Sequence, residues 1–479
     1  MESATYELPR VLITAPASGS GKTTVTCAIL RALVQEGQRI AAFKCGPDYI
    51  DPMFHREIVG AQSAGNLDLF FTRAKKLRQM LAQGAQGVQM AIVEGAMGYY
   101  DGLGGVSERA SAYEVAFETQ TPAILVLDCK GMSVSAAAVV QGMTHYRPSI
   151  QPLQPNATIQ GVILNRLSPA LYPTVKGMIE KEAWNGFCAP KVLGFLPPLK
   201  DASLESRHLG LVPAGEVQQL EQKLDQLAQA ARQFIDLEGL KQLAKTAPPL
   251  EFDLPKRPHR LTGDPKVAVA YDEAFCFYYQ ETLHLLEQMG AQLVYFSPIR
   301  EEQLPPADAL LLGGGFPELY AAQLAENCLM RQQIKTALEA GMPAIAECGG
   351  FLYLHERLKG MDGVAYPMVG AIAGEAFQTE KLQRFGYCTL TAKEDNLLGK
   401  AGAQLPAHEF HHWDSENCGA SFVAEKPLRQ TSWECVHGNE RLYAGFPHLY
   451  LAARPQAAFS FLRAALAYRA KKDAFGCAL

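Results

Sequence analysis

The chain opens with short apolar runs alternating with amphipathic stretches. The runs Val11–Ala15, Ile40–Phe43, Met90–Glu94, Ala123–Asp128, Ile159–Asn165 and Val192–Leu196 are four to seven residues long. Continuous apolar segments of that length, separated by helical periodicity, predict parallel strands covered by helices on both faces. Between the first two runs, Val25, Ala28, Ile29, Ala32 and Leu33 recur at i, i+3, i+4, i+7 and i+8, the buried stripe of one helix. The first half therefore reads as an α/β doubly wound domain.

From Glu216 to Lys245 the sequence is rich in Gln, Glu, Lys, Leu and Ala and predicts one long helix. Thr246–Pro265 follows, with prolines at 248, 249, 255, 258 and 265. Fixed φ and missing N–H groups argue against a regular element there, which sets domains at 1–245 and 266–479 joined by a proline-rich linker, 246–265. Alternation then restarts with strands at Lys266–Tyr271, Gln292–Phe296, Asp308–Leu312 and Pro343–Ala346 and helices near Phe275–Met289 and Met330–Ala340. This predicts a second α/β domain. Beyond Gly360 the runs shorten, and Gly and aromatic residues point to added antiparallel strands.

Length and charge narrow the class. A chain of 479 residues has room for two to four domains, each with its own core. A net charge of −5 with no block of Lys and Arg argues against nucleic acid or an anionic membrane as the main partner. The 11 cysteines form no CxxC pair and are odd in number, which fits a reducing cytosol. Met1–Arg10 has no apolar signal core, and no stretch has the roughly 18 apolar residues of a membrane span. The expected location is cytoplasmic, and a monomer and a homodimer are equally compatible with the sequence.

The first strand runs into Ala15-Pro-Ala-Ser18-Gly19-Ser20-Gly21-Lys22-Thr23-Thr24 and then a helix. Glycines let successive N–H groups converge on phosphate oxygens, and the helix N-terminus adds partial positive charge. Lys22 is placed to reach the β- and γ-phosphates of ATP, and the Thr23 hydroxyl to ligate Mg²⁺. Pro16 stands where the strict pattern has glycine, so this is a variant phosphate loop. Two acidic segments, Lys44-Cys-Gly-Pro-Asp48-Tyr49-Ile-Asp51-Pro52 and Glu94-Gly-Ala-Met-Gly-Tyr-Tyr-Asp101-Gly102, follow the second and third predicted strands. Strand ends beside a phosphate loop are where metal and substrate bind in doubly wound sheets. Asp128, Lys130, Asn165 and Arg166 end two further strands without a defined role.

In the second domain, Pro343-Ala-Ile-Ala-Glu347-Cys348-Gly349-Gly350 leads from a strand into a helix. Small neighbours and a helix N-terminus suit a nucleophilic thiol at Cys348. The N–H groups around Gly314 and Gly315, in Leu311-Leu-Gly-Gly-Gly-Phe-Pro-Glu318, fit an oxyanion hole. His448 is the candidate base, although His408, His411 and His412 lie in the same tail. A Mg-ATP loop joined to a cysteine amidase points to carboxylate activation as an acyl phosphate, followed by attack of ammonia released from glutamine.

These motifs, with Lys44–Pro52, Val93–Gly102, Ile163-Leu-Asn-Arg166, Gly314–Tyr320 and Glu347–Gly350, resemble the cobyrinic acid a,c-diamide synthase family over essentially the whole chain. The resemblance implies an N-terminal domain similar to dethiobiotin synthetase and a C-terminal class I glutamine amidotransferase domain. It assigns Ser18–Thr24 to ATP phosphates, Asp48 and Glu94 to Mg²⁺ and acyl-phosphate formation, and Asp48, Tyr49 and Asp101 to the carboxylates of a cobyrinic acid-type corrinoid. It makes Cys348 the glutaminase nucleophile and His448 its base, and implies amidation of the c side chain before the a side chain. Departures fall in the C-terminal half: Tyr450 stands where many class I enzymes have glutamate, and Ala346, Ala407 and Pro447 also differ. Cobyric acid synthase lacks the PDYIDP segment. The enzyme that amidates nickel-sirohydrochlorin shares these motifs, and a ParA-like ATPase switch with an inactive amidase-like domain is the reading from another class.

Overall fold

The apolar runs of the first half assemble into one parallel sheet in the computed structural model, which describes residues 3–150, 154–184, 186–199, 214–254 and 258–476. The chain divides into two compact units, Met1–Pro255 and Lys256–Leu479. In the first, the elements in order are β1 (Ser3–Tyr6), β2 (Arg10–Thr14), α1 (Lys22–Gln35), β3 (Ile40–Cys45), α2 (Ile50–Phe54), β4 (Ser63–Leu67), α3 (Ala74–Gly84), β5 (Met90–Glu94), α4 (Ala112–Thr119) and β6 (Ala123–Asp128). They continue with α5 (Val134–His145), β7 (Ile159–Asn165), α6 (Tyr172–Glu182), β8 (Lys191–Leu196), α7 (Ala214–Phe234), α8 (Leu237–Lys245) and β9 (Leu250–Asp253). Seven strands form a parallel sheet in the order β4-β3-β5-β2-β6-β7-β8. Successive residues of β2 feed opposite faces: Val11 and Ile13 pack with Val25, Leu33, Leu224 and Leu240, and Leu12 packs with Leu77, Val140 and Ile179. Burial on both faces is why these strands read as continuous apolar runs. The connection from β2 leads to β3 on one side and that from β5 to β6 on the other, so the loops after β2 and β5 diverge over a crevice at the strand ends.

Four expectations change. The helix at 216–245 is two helices, because Asp236 caps α8 by accepting from the Gly239 N–H at 2.7 Å. The proline-rich stretch contains a regular element, since β9 sits between Pro249 and Pro255 and pairs antiparallel with β1 in a two-stranded ribbon. Residues 255–257 of that stretch lie outside the described residues. Strand β4 was hidden because Ser63-Ala-Gly-Asn-Leu67 is small and polar, as an edge strand tolerates. The helix expected from Phe275 begins only at Gln280: Asp272 bonds the N–H groups of Ala274 and Phe275 and keeps that stretch a turn.

The second unit runs β10 (Lys266–Ala270), α9 (Gln280–Gln288), β11 (Gln292–Phe296), β12 (Ala309–Leu312), α10 (Ala321–Glu326), α11 (Cys328–Glu339), β13 (Ala344–Glu347), α12 (Gly349–Leu354), β14 (His355–Lys359), β15 (Ala365–Pro367) and β16 (Ile372–Ala392). It ends with β17 (Gln404–Ser415), β18 (Phe422–Glu425), β19 (Ser432–Cys435), β20 (His437–Gly438), β21 (Leu442–Gly445), β22 (His448–Leu449) and α13 (Pro455–Gly476). One sheet has the order β11-β10-β12-β13-β21-β20, parallel except for β20. The tail builds a second, mostly antiparallel sheet, β15-β14-β16-β17-β22, with β18 paired to β16 and β19 to β18. Ile345 and Val267 of the first sheet share a core with Leu390 and Ala407 of the second.

The ten described cysteines are free thiols; Cys477 lies outside the described residues. Cys188 and Cys328 are exposed, so packing does not account for them. Among the described residues no helix is long and apolar enough to cross a membrane.

Candidate functional site

The turn after β2 is closed by its own glycines. Gly19 and Gly21 hold φ of 77° and 89°, a conformation in which a Cβ is strained. At Gly21, the N-cap of α1, an added Cβ would also lie 2.1 Å from Asn165 Nδ2, which itself donates to the Ser20 carbonyl at 3.0 Å. Lys22 folds back over this loop, and its ammonium donates to the carbonyls of Ala17, at 3.2 Å, and Met97. Burial, with Lys44 close by, pushes Lys22 down to about 8. The Ser20 hydroxyl donates to Ala17 O at 2.9 Å, so its side chain closes the loop rather than facing outward.

Behind the loop lies a buried set of charges. The Thr23 hydroxyl donates to Glu94 Oε1 at 2.6 Å, and Lys44 Nζ reaches the same oxygen at 2.7 Å and Asp51 Oδ2 at 2.5 Å. Burial alone would raise the Glu94 carboxyl, but Lys44 and His55 outweigh it and hold it well below the usual carboxylate range. Burial and the neighbouring Asp48 raise Asp51 to about 6 against the pull of Lys44. Lys44 is itself held well above the usual lysine value, because Asp51 and Glu94 outweigh its burial. Removing one partner of such a set strands the others in a medium that cannot solvate them. Lys44→Met is therefore expected to cost about 3–5 kcal/mol of stability, measured as a lowered midpoint of denaturant-induced unfolding.

Of this set, Thr23 and Lys44 border a cleft of about 610 Å³ at the ends of the parallel strands. Ser18, Gly19, Gly21, Lys22, Thr23 and Thr24 form one wall. Asp48, Lys44, Asn165, Arg166 and the segment Leu196–Leu199 complete it. Asp48 uses Oδ1 to accept from the N–H groups of Ile50 and Asp51, both at 2.9 Å, and so ties down the turn that leads into α2. Asn66 of β4 holds the preceding turn through the carbonyls of Gly46 and Asp48. Tyr49 is half-buried at the start of α2 and Asp101 is exposed with Oδ2 on the Gly98 N–H at 3.0 Å; neither lines the cleft. Asp128 is engaged by the Arg166 guanidinium.

The donor set fits Mg²⁺. That ion takes one or two carboxylates and a hydroxyl and completes its shell with phosphates and water. Glu94 is fully buried, and its Oε2 accepts no hydrogen bond among the described residues, lying 3.5 Å from His55 Nε2. Thr23 Oγ1 is on the other oxygen, Oε1, and Asp48 lines the cleft wall.

In the second unit the chain reverses at Cys348, which has φ 45° and ψ −101° and caps α12. Such backbone persists only where its surroundings hold it. Here the Cys348 N–H donates to Gly445 O and the Gly350 N–H to Gly313 O, both at 2.8 Å. A Cβ on Gly350 would lie 2.2 Å from Leu312 O, and one on Gly349 3.0 Å from Gly315 N, so small residues are obligatory beside the thiol. Burial pushes the Cys348 thiol far up and Glu318 adds to this, while the Gly349 N–H opposes it. At rest the thiol is protonated and needs a base.

Of the four candidate histidines, His448 is the one whose ring lies against the Gly313–Gly315 turn: a Cβ on Gly314 would be 2.4 Å from His448 Cε1. Its Nδ1 is 3.5 Å from Glu347 Oε2. His408 sits opposite it in the β17–β22 ladder and is held neutral, with burial pushing it down to about 3. His411 stacks on Phe446 at 3.8 Å and meets Glu409 Oε2 at 3.0 Å, and His412 is exposed beside Phe410.

The sequence left Lys44, His55 and Glu347 without individual roles and read Asp51 only as part of an acidic segment expected to meet metal or substrate. Lys44 and Glu347 had a signal, each being a charge at the end of an otherwise apolar strand. His55, fully buried in a π-helical turn, had none.

Comparison with known proteins gives two domain matches. Residues 11–212 match a CobQ/CobB/MinD/ParA nucleotide binding domain, and residues 266–455 a CobB/CobQ-like glutamine amidotransferase domain. The chain is 41% identical over 405 residues to the cobyrinate a,c-diamide synthase of Listeria monocytogenes serotype 4b, covering 84% of this chain and 86% of that one. It is 38% identical to the protein of that name from Caldanaerobacter subterraneus, covering 93% and 96% of the two chains. With the one from Dehalococcoides mccartyi it shares 36% identity, over 95% and 98%.

Proposed function

The chain belongs to the cobyrinate a,c-diamide synthase family, and from that premise we propose that it amidates the a and c carboxylates of a cobyrinate-type corrinoid in cobalamin synthesis. It is an ATP-dependent amidoligase that uses glutamine. In the first unit the Ser18–Thr24 loop takes the phosphates, with Lys22 on the β- and γ-groups. Thr23, Glu94 and Asp48 would hold Mg²⁺, which neutralises phosphate charge when bound. Asp48, on the cleft wall, orients the substrate carboxylate at the γ-phosphorus; Tyr49 and Asp101, which the resemblance also assigns to the substrate, lie outside that lining. A carboxylate oxygen bonds to that phosphorus as the bond to the β,γ-bridging oxygen breaks, giving an acyl phosphate and ADP. Ammonia attacks the acyl carbon, phosphate departs, and a proton is lost to leave the amide.

In the second unit, His448 takes the thiol proton of Cys348 as sulfur attacks the glutamine carboxamide carbon. The oxyanion sits on N–H groups at Gly314 and Gly315. His448 returns the proton to the leaving ammonia, and water then releases glutamate from the thioester.

One observation carries this reading: a single chain supplies a phosphate loop closed on a buried carboxylate, a positive-φ cysteine, and a histidine beside the carboxylate that precedes that cysteine. The test is incubation with Mg-ATP, glutamine and cobyrinate or its metal-free form, with mass spectrometry of the product. The a,c-diamide is expected. Consumption of nickel-sirohydrochlorin with both corrinoids left intact moves the substrate to the nickel tetrapyrrole, and ATP hydrolysis without any amide supports the switch.

A further inference from the structure

We propose that Glu347, the residue before the nucleophile, is the positioning carboxylate of His448; this rests on the glutaminase reading of Cys348 and His448. A catalytic imidazole needs one ring nitrogen toward the thiol and the other fixed by an acceptor, which sets its tautomer and stabilises the imidazolium. Tyr450, two residues after His448, brings no carboxylate to that role: it is a neutral phenol, which lacks the charge that stabilises an imidazolium, and its ring packs edge-on against Tyr279 at 4.8 Å.

The acceptor comes from the neighbouring strand. Glu347 ends β13, where it pairs with Gly445 of β21. The turn from Gly445 to His448 is tied down by the Tyr443 hydroxyl, which donates to Pro447 O at 2.9 Å. It therefore delivers His448 and Leu449 beside the Glu347 side chain. Oε1 accepts the Leu449 N–H at 3.0 Å, and this bond aims Oε2 at His448 Nδ1, 3.5 Å away. His448 is 2% exposed and Glu347 12%, so the pair is largely shielded from water. A contact of that length in a resting enzyme shortens when the imidazole takes a proton. Opposite His448 in the ladder, His408 is held neutral by burial, and Glu409 turns Oε2 to His411. The nucleophile and the residue that orients its base are thus adjacent in sequence, and the positive φ at Cys348 sends their side chains apart.

Glu347→Gln keeps an oxygen for the Leu449 N–H and removes only the charge and the second acceptor. The expected result is a loss of about 10²-fold in kcat for glutamine hydrolysis, little change in KM for glutamine, and full amidation with ammonium chloride. Glu347→Asp, which retains a carboxylate, is expected to recover part of the loss. A glutaminase kcat within about threefold of the parent, or no difference between the Asp and Gln variants, overturns the proposal. If the Gln variant also loses ammonia-driven amidation, the Asp variant decides: parallel loss of both activities marks a structural residue and overturns it as well. His448→Ala run alongside separates the two ideas, since an active His448→Ala enzyme sinks the underlying glutaminase reading, whereas an inactive one beside an active Glu347→Gln sinks only this inference.

Discussion

Cys348→Ala abolishes glutamine-dependent amidation, by about 10⁴-fold or more, and leaves amidation driven by ammonium chloride intact. The size follows from what the side chain does: no other group at that turn can form the covalent bond to the carboxamide carbon. The thiol is buried and its acidity is suppressed, so its reactivity depends on proton transfer rather than on a standing thiolate. Alanine fits the same positive-φ turn with no added bulk, and the Gly445 and Gly313 carbonyls keep their bonds. The ammonia-driven reaction needs only the first unit, which has its own sheet and core. Both activities are measured on one preparation by the rate of amide product with each nitrogen donor. Equal loss of both would make Cys348 a structural residue.

Lys22→Ala is expected to reduce ATP-dependent amidation by about 10³-fold while glutamine hydrolysis remains measurable. In the resting loop the ammonium spans the carbonyls of Ala17 and Met97, which places a positive charge over the space between the two loops. ATP phosphates replace those carbonyls, and without the lysine the charge that develops on the leaving β-phosphate has no fixed counterpart from this loop. Removing the ammonium also leaves two carbonyls without their donor, a cost of about 1–3 kcal/mol. Thermal unfolding of the variant therefore accompanies the rate measurement. Amidation at the parental rate in a folded Lys22→Ala enzyme would remove the phosphate-loop assignment.

How much was legible depended on how local each feature is. Strands β6 and β7 coincide with their predicted spans because both faces are covered and apolar residues fill most of each run, with Asp128 and Asn165 marking the two C-terminal ends. Strand β4 was not legible, since at the sheet edge its residues are mostly small or polar, and the buried Asn66 serves to hold the Asp48 turn rather than to pack as an apolar side chain. The division at Ile235-Asp236 was not legible either, because helical periodicity continues across it and only the Asp236 cap breaks it. Within the candidate site, the phosphate loop and Cys348 stand out as short motifs whose glycines are demanded by the backbone itself. Lys44, Asp51, His55 and Glu347 acquire meaning only from what lies across from them.

By itself, then, the sequence determined two α/β domains, a variant phosphate loop and a cysteine on a tight strand-to-helix turn. Each is written in neighbouring residues, through apolar periodicity and through glycines that the local φ requires. Tertiary structure alone decided that Glu94 closes on Thr23 across 71 residues and that Glu347 reaches the His448 turn, with its hydrogen bond to Leu449 spanning 102. The reason is physical: a buried charge is tolerated only beside a partner that compensates it, and strand order and register, not spacing along the chain, bring that partner within reach.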